Sequence, residues 1–466
     1  MPGEGFHLEQ PQKQRDMDPK LLPFATQDVP RYTSYPTAVQ FQSEFSPAIA
    51  DGWLAALAPE AVLSLYVHIP FCQQLCWYCG CHTSVPNTYD RAERYTAALL
   101  RDIARGGGLK GTRHGAVKHF HFGGGTPTYL KNDDLRSIVD AVDRAFGIAA
   151  GAEVAIESDP RGMTPERARA LTAMGFNRIS FGVQDFAQPV MDKINRQQPY
   201  DLVARATEDL RAAGFVSVNY DLMYGLPGQT VASVIETATQ SAALKPNRIS
   251  VFGYAHVPWF AKHQKMIRDA DLPDIPQRYD QAVAINETLT AQGYAAIGLD
   301  HYALLDDDLA RAAEAGTMHR NFQGYTTDTA DALVAFGASA ISEYPQGFAQ
   351  AARDTLAWSM AIEKGESPVN RGLATTAEDR MRAAVIERLM CDFSVDYAAV
   401  AARHGFDPAV LEPGLHRLEP LLAAGLAEWR GTVVSVPKTH RLFLRSAACA
   451  FDAHYKVVAN RHAKAV

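Results

Sequence analysis

The stretch VLSLYVHIPFCQQLCWYCGC at residues 62–81 decides how the rest of the chain is read. Its first part alternates. Leu63, Leu65, Val67 and Ile69 fall on one side and Ser64, Tyr66 and His68 on the other, the two-residue period of a strand with one apolar and one polar face. Directly after it come Cys72, Cys76, Cys79 and Cys81, four of the six cysteines within ten residues, where an even scattering would place about 0.13. A disulfide framework does not suit a long chain whose first 25 residues are polar and lack a secretory apolar core. The cluster therefore reads as metal-binding. A C-x-x-x-C-x-x-C loop suits an iron–sulfur centre, and structural zinc with Cys81 as a fourth ligand is the alternative. Cys391 and Cys449 stand alone and read as small buried apolar residues.

Outward from this stretch the strand pattern recurs at 117–122, 153–157, 177–183, 217–222 and 248–254. Amphipathic stretches near 89–105, 131–146, 164–174, 199–213, 230–243 and 276–291 separate and follow these strands. Six βα units, or seven if 295–299 is a further strand, predict a parallel sheet, because each crossover helix returns the chain to the same end. Eight would close a full barrel, so six or seven predict a partial (β/α)6-type barrel. The cysteine loop then opens at the C-terminal ends of the strands, where barrel active sites are built. His119 and His121, Glu157, Ser180 and Gln184, and Asn219 and Asp221 share the polar faces of their strands. Central parallel strands are usually apolar on both sides, so this recurring polar face predicts an interior that holds a polar ligand.

Residues 1–50 carry seven prolines and little periodicity, which predicts an arm laid over the catalytic unit at 51–345. After 345 the βα rhythm stops. Helices expected at 376–390, 396–404, 413–425 and 438–457, with a strand pair around GTVVSVP, predict a small, mainly helical, winged-helix-like domain at 346–466. The last stretch is basic, with Arg430, Lys438, Arg441, Arg445, Lys456, Arg461 and Lys464, and faces either solvent or a polyanionic substrate. The net charge of −7 argues against non-specific nucleic-acid binding, and no apolar run is long enough to span a bilayer. A cytoplasmic protein is expected.

A second motif, GGGTPTYL at 123–130, follows the second strand. Its glycines allow close approach of a ligand, and exposed amides there would suit a carboxylate or phosphate. The cysteine loop together with this tract resembles the radical S-adenosylmethionine family. The resemblance implies a 4Fe-4S cluster held by Cys72, Cys76 and Cys79, with one iron open to S-adenosylmethionine. It implies that Gly124, Gly125 and Thr126 bind the methionine part, that Glu157 holds the ribose hydroxyls and that Tyr66 packs near the sulfonium.

PRYTSYPTA (30–38), NRISFGVQDF (177–186), DLMYGLPGQT (221–230), HRNFQGYTT (319–327) and GASAIS (337–342) are similar to the oxygen-independent coproporphyrinogen III oxidases of that superfamily. Gly253 and Gln197 depart from that pattern, where asparagine and glutamate are common. This resemblance implies oxidative decarboxylation of two propionates of coproporphyrinogen III in haem biosynthesis. It implies a second S-adenosylmethionine contacted by Tyr78, Gln184, Arg196, Asp221, Ala255 and Ile341, with Arg31 and Gln323 beside the substrate. The implied protein is a cytoplasmic monomer fed by a reduced flavodoxin- or ferredoxin-type donor. A haem-binding chaperone on the same scaffold and a zinc-stabilised protein without catalysis are the alternative readings.

Overall fold

The computed structural model describes residues 17–111, 116–456 and 464–466. Strands β1 (Leu63–Ile69), β2 (Val117–Gly124), β3 (Ile148–Ser158), β4 (Arg178–Gln184), β5 (Ser217–Tyr224) and β6 (Arg248–Gly253) lie side by side in chain order, all parallel. The crossover helices form where periodicity and caps dictate. In Asn132–Phe146 the buried residues Leu135, Ile138, Val139, Val142 and Phe146 make one apolar stripe, and the helix ends at Gly147 with φ +76°. Reciprocal caps, Thr230 with Ser233 and Asp274 with Gln277, start the helices Val231–Ala243 and Ile275–Ala291. These helices cover the apolar strand faces, burying Leu65, Phe120, Ile156, Phe181, Tyr220 and Ile249 in the main core. The polar faces are left to the interior of a partial (β/α)6-type barrel.

Two departures from the expected topology have a common cause in connection length. The strand expected at 295–299 forms as β7 (Tyr294–Ile297), but runs antiparallel to β8 (His301–Leu304) and adds no βα unit. Only residues 298–300 separate the two, and a parallel return needs a crossover of about a dozen residues or more. After the hairpin of β9 (His319–Asn321) and β10 (Gly324–Thr326), a seventh parallel strand, β11 (Ala332–Phe336), enters beside β1 at the opposite edge. The sheet then continues antiparallel through β12 (Ile341–Tyr344), β13 (Gly347–Ala351) and β14 (Val369–Ala374). The sheet therefore continues to Ala374, past residue 345. Hairpin connections end the βα rhythm without ending the sheet.

In the C-terminal unit, helices Ala377–Asp392 and Tyr397–Arg403 pack with a three-stranded wing of β15 (Ser394–Asp396), β16 (Glu428–Arg430) and β17 (Val433–Ser435). The helix expected at 413–425 is broken into Glu412–Leu415, a 3-10 turn and Glu419–Ala423, with Pro413 and Pro420 opening the two helical pieces. The helix expected at 438–457 is three short turns from Lys438 to Phe451, and its last position and Arg461 lie outside the described residues. The arm shares this unit's core. Met17, Leu21, Ala25, Val29, Tyr32 and Tyr35 pack with Met381, Leu389 and Phe443. Farther along, Phe41 stacks on Phe348, and Gln42 bridges Gly372 at the β14 edge. Among the described residues no helix is long and apolar enough to cross a membrane.

Candidate active site

Every inward position of β1 is occupied by a group with a partner. Ser64 bonds Asp328, which also faces His119 at 3.6 Å. One layer higher, the Tyr66 ring stacks on His121 and meets Phe322 edge-on, with centroids 5.9 and 4.9 Å apart. His68 Nε2 lies 3.1 Å from the His82 carbonyl oxygen, and its Nδ1 lies 3.1 Å from the Tyr66 hydroxyl. A carbonyl only accepts, so Nε2 carries the proton, Nδ1 accepts, and Tyr66 donates. Burial holds the His68 imidazole neutral, down to about 4, and keeps the Tyr66 phenol protonated. This relay ties the chamber to the cysteine loop, because His82 follows Cys81.

The last inward residue of the third strand is Glu157. One carboxylate oxygen lies 3.2 Å from His121 Nε2, and the other accepts from the Gly124 N–H at 3.2 Å. Its side chain is 41% exposed, so the inner face leaves room beside it for a ligand. Asp221 of β5 is also inward. Burial, then repulsion from Glu157, pushes its carboxyl up to about 7. Below this layer, burial would raise Glu153, but the guanidiniums of Arg178 and Arg248 outweigh it and hold the carboxyl down at about 2.

The glycine tract works by absent side chains and not by free amides, which corrects the expectation above. The Gly125 N–H donates to the Ile69 carbonyl and the Thr126 N–H to the Phe71 carbonyl, both at 2.8 Å, and the Gly124 N–H is taken by Glu157. A Cβ at Gly124, where φ is +118°, would sit 2.7 Å from the His68 ring, and one at Gly125 would sit 2.5 Å from Thr83 Oγ1. These glycines let β2 press against the cysteine loop.

Within that loop Cys72 Sγ contacts the hydroxyls of Thr83 and Thr126 at 3.1 and 3.4 Å. Cys76 Sγ accepts from Arg196 Nη1 at 3.4 Å, and Cys79 Sγ accepts from the Cys81 N–H at 3.4 Å. The Cys81 thiol also donates to Cys79, which pulls Cys79 down to about 7 and pushes Cys81 up. Among the described residues no group of three or more Cys, His, Asp or Glu side chains is gathered as a metal-ion site. A cubane takes each thiolate at a different iron, and three cysteines on one short loop, one held by a guanidinium, are the donor set that suits that group.

Arg196 is buried, donating through Nε to Gln198, through Nη1 to Asp159 and through Nη2 to the Gly182 carbonyl. With its nitrogens so engaged it positions the loop against β4. Burial alone would lower the pKa of Arg196, but Tyr78, Asp159 and Cys76 outweigh it and hold it above the usual arginine value. Gln184 adopts φ +67°, a left-handed conformation uncommon for a residue with a side chain, at the end of β4.

Ala255, Arg31 and Gln323 lie apart from this chamber, around a cavity of about 740 Å³ between barrel, arm and C-terminal unit. Ile341 lines a smaller cavity of about 190 Å³ with Arg31 and Glu343. Phe322 lines both cavities and touches Tyr66. Phe322, His68 and His121 went unassigned in the sequence reading, although the inward parity of the two histidines was visible there.

A parallel partial barrel with its cysteine loop after the first strand and a glycine seam after the second defines a radical S-adenosylmethionine enzyme. The Radical SAM superfamily model matches residues 66–240. The oxygen-independent coproporphyrinogen III oxidase of Bradyrhizobium diazoefficiens is 44% identical over 443 residues, 95% of this chain and 98% of that protein. That of Escherichia coli is 39% identical over 447 residues, 95% and 97% of the two chains. The solved structure of the Escherichia coli coproporphyrinogen III oxidase, titled a radical SAM enzyme, superposes with a TM-score of 0.88 over 95% of this chain and all of that one. The chain belongs to the oxygen-independent coproporphyrinogen III oxidase family.

Proposed function

We propose that the chain converts coproporphyrinogen III to protoporphyrinogen IX in haem biosynthesis, turning two propionates into vinyl groups. The observation that carries this reading is Phe322, which lines the large cavity and forms an edge contact with Tyr66, so substrate space and polar chamber share one aromatic wall. The cavity of about 740 Å³ is within the range of roughly 300–1,000 Å³ usual for organic ligands.

Cys72, Cys76 and Cys79 would hold the 4Fe-4S cluster, with Cys81 as the hydrogen-bond donor that keeps Cys79 a thiolate. A cluster held there would supply the electron for reductive cleavage of S-adenosylmethionine, the chemistry that starts hydrogen abstraction. Each propionate loses one hydrogen atom from its β-carbon to the S-adenosylmethionine-derived radical, and carbon dioxide and one electron, the electron passing to an external one-electron acceptor, on becoming vinyl. The protein's part is position and dryness. Glu157, fixed by His121 and the Gly124 amide, keeps lone pairs for ribose hydroxyls, and Gly124, Gly125 and Thr126, packed against the cysteine loop, would border the methionine part. Tyr66, locked by His68, walls the chamber with a proton it does not readily give up.

A second S-adenosylmethionine beside Tyr78, Gln184, Asp221, Ala255 and Ile341 is supported by the strained Gln184 and by the carboxyl of Asp221, which a cationic sulfonium would draw into its charged form. Arg196 would steady that wall. For the electron donor, Trp259, Phe260 and Met266 are exposed with Lys262 and Lys265 beside the cluster loop, where His263 Nε2 donates to the Cys79 carbonyl. An apolar patch with lysines suits an acidic flavodoxin- or ferredoxin-type protein. Free cysteines at all six positions suit the reducing cytoplasm.

The test is product analysis. Cluster-loaded protein with S-adenosylmethionine, a reductant and coproporphyrinogen III under anaerobic conditions should release protoporphyrinogen IX. Tetrapyrrole that binds but is recovered unchanged, while S-adenosylmethionine is cleaved, would favour the haem-chaperone reading.

A further inference from the structure

The large cavity holds a cation that the reaction as described leaves unused. Arg278 projects into it from the helix Ile275–Ala291, with its guanidinium over the Tyr224 ring at 5.6 Å from the centroid. Its Nε is buried and has no acceptor. The ionisable groups that act on it are the phenols of Tyr224 and Tyr254, and burial pulls its pKa below the usual arginine value. Two strand ends are shaped around it. A Cβ at Gly225, just past β5, would collide with Nη1, and one at Gly253, the end of β6, would collide with the Tyr224 phenol beneath the guanidinium and lie 3.3 Å from Nη2.

Other buried arginines of this cavity differ in that each is hydrogen-bonded through at least one guanidinium nitrogen, although Arg320 Nη1, Arg441 Nε and Arg445 Nε also lack a hydrogen-bond partner. Arg320 donates to the Tyr32 carbonyl, Arg441 to Asn286 and the Gly298 carbonyl, and Arg445 to the carbonyls of Val29 and Ala465. Their roles are to fasten arm, barrel and C-terminal unit together. Burying a guanidinium with neither counter-charge nor acceptor costs free energy and adds nothing to the ligand-free fold. A planar fork of donors facing a cavity is the arrangement that binds a carboxylate through two parallel hydrogen bonds.

We propose that Arg278 binds a propionate carboxylate of the tetrapyrrole substrate and so sets its orientation in the cavity. This inference rests on the substrate reading above. Arg278 sits on a barrel helix, whereas Arg31 belongs to the arm, so the carboxylate at Arg278 is held by the rigid wall of the site.

The probe is coproporphyrin III, the stable oxidised form that keeps all four propionates, titrated by fluorescence into cluster-loaded protein. R278Q should weaken its binding roughly 10- to 100-fold, the range expected for a lost charge-assisted hydrogen bond. The same variant should raise KM for coproporphyrinogen III far more than it changes kcat, with iron content intact. Its ligand-free Tm should be no lower than that of the wild type, because a buried unpaired charge has been removed. R278K keeps the charge and should regain part of the affinity. R278M, which keeps the stem packing on Tyr224, replaces R278Q should the latter be insoluble. Wild-type affinity in R278Q or R278M, or R278K binding no better than R278Q, would overturn the proposal. Should the wild type neither bind the porphyrin nor convert the porphyrinogen, the substrate reading itself fails; should it do both while R278Q matches it, only the role of Arg278 falls.

Discussion

At the scale of single residues, the two neighbouring cysteines of the loop have opposite chemistry. Cys79 receives hydrogen bonds from both the thiol and the backbone N–H of Cys81 and is drawn down to about 7, while the donor is pushed up. Thiolates bind iron and thiols do not. C72S, C76S and C79S should each lose the iron, whereas C81S, whose hydroxyl still donates, should keep it, as measured by iron and sulfide content after anaerobic reconstitution. Loss of iron in C81S equal to that in C79S would make the centre fully cysteine-ligated. Asp221 gives a second residue-level expectation, with a pH sign. Its carboxyl stands at about 7 in the folded chain against an ordinary 3.8, because of burial and then Glu157. Between those values the folded state binds the proton more tightly than the unfolded one, so its contribution falls as pH rises through the window. D221N has no such ionisation. In cluster-free protein its Tm should exceed that of the wild type by a few degrees at pH 8, and the difference should close on acidification toward pH 4. A gap that does not change with pH would mean that Asp221 is not the buried acid described.

At the scale of elements, the barrel was legible because each βα unit carries its own local signal. Alternation marked the strands, and the polar face shared by the first five pointed to the interior. The same parity put Glu157 and Asp221 inside. What escaped was whatever depends on partners far along the chain. ALVAF at 332–336 is apolar on both sides and follows no helix, so nothing local places it beside β1 and not beside β6. The breaks in the two C-terminal helices come at short-range Pro and kink positions that the apolar spacing concealed. Arg278 reads as an ordinary surface residue of an amphipathic helix, and only the missing side chains of Gly225 and Gly253 reveal the space made for it. The glycine tract was found for a partly mistaken reason, since its amides are used and its shape is what counts. G124A tests that shape. The added Cβ meets the His68 ring and the Ile69 carbonyl in a φ +118° conformation that side chains rarely adopt. S-adenosylmethionine affinity should fall by at least about tenfold, a strain of roughly 1–3 kcal/mol, measured by equilibrium binding to protein of unchanged iron content. Wild-type affinity in soluble G124A would show that the seam tolerates displacement.

At the scale of the whole molecule, the arm and the C-terminal unit form one body that closes the side of the barrel, and Arg31 lies at the join. The chain turns sharply here, because Tyr32 has φ +50°, sending its ring into the shared core. The Tyr32 hydroxyl donates to Asp452 at 2.9 Å, the Ala453 N–H donates to Tyr35, and Arg445 holds the Val29 carbonyl. These contacts anchor the arm on both sides of Arg31. Arg31 itself is exposed and lines both cavities, and Arg445 across the join adds like charge, not a partner. The neighbours of Arg31 thus already anchor the arm. R31A should leave Tm and iron content unchanged while lowering kcat/KM for vinyl formation by roughly 10- to 100-fold, the loss expected when a charge-assisted bond to a carboxylate is removed. Y32F, which loses only the hydroxyl contacts with Asp452 and Cys449, should show the reverse pattern, with a lower Tm and a smaller kinetic effect. Decarboxylation at the wild-type rate by soluble, iron-loaded R31A would mean that the arm closes the barrel without touching the substrate.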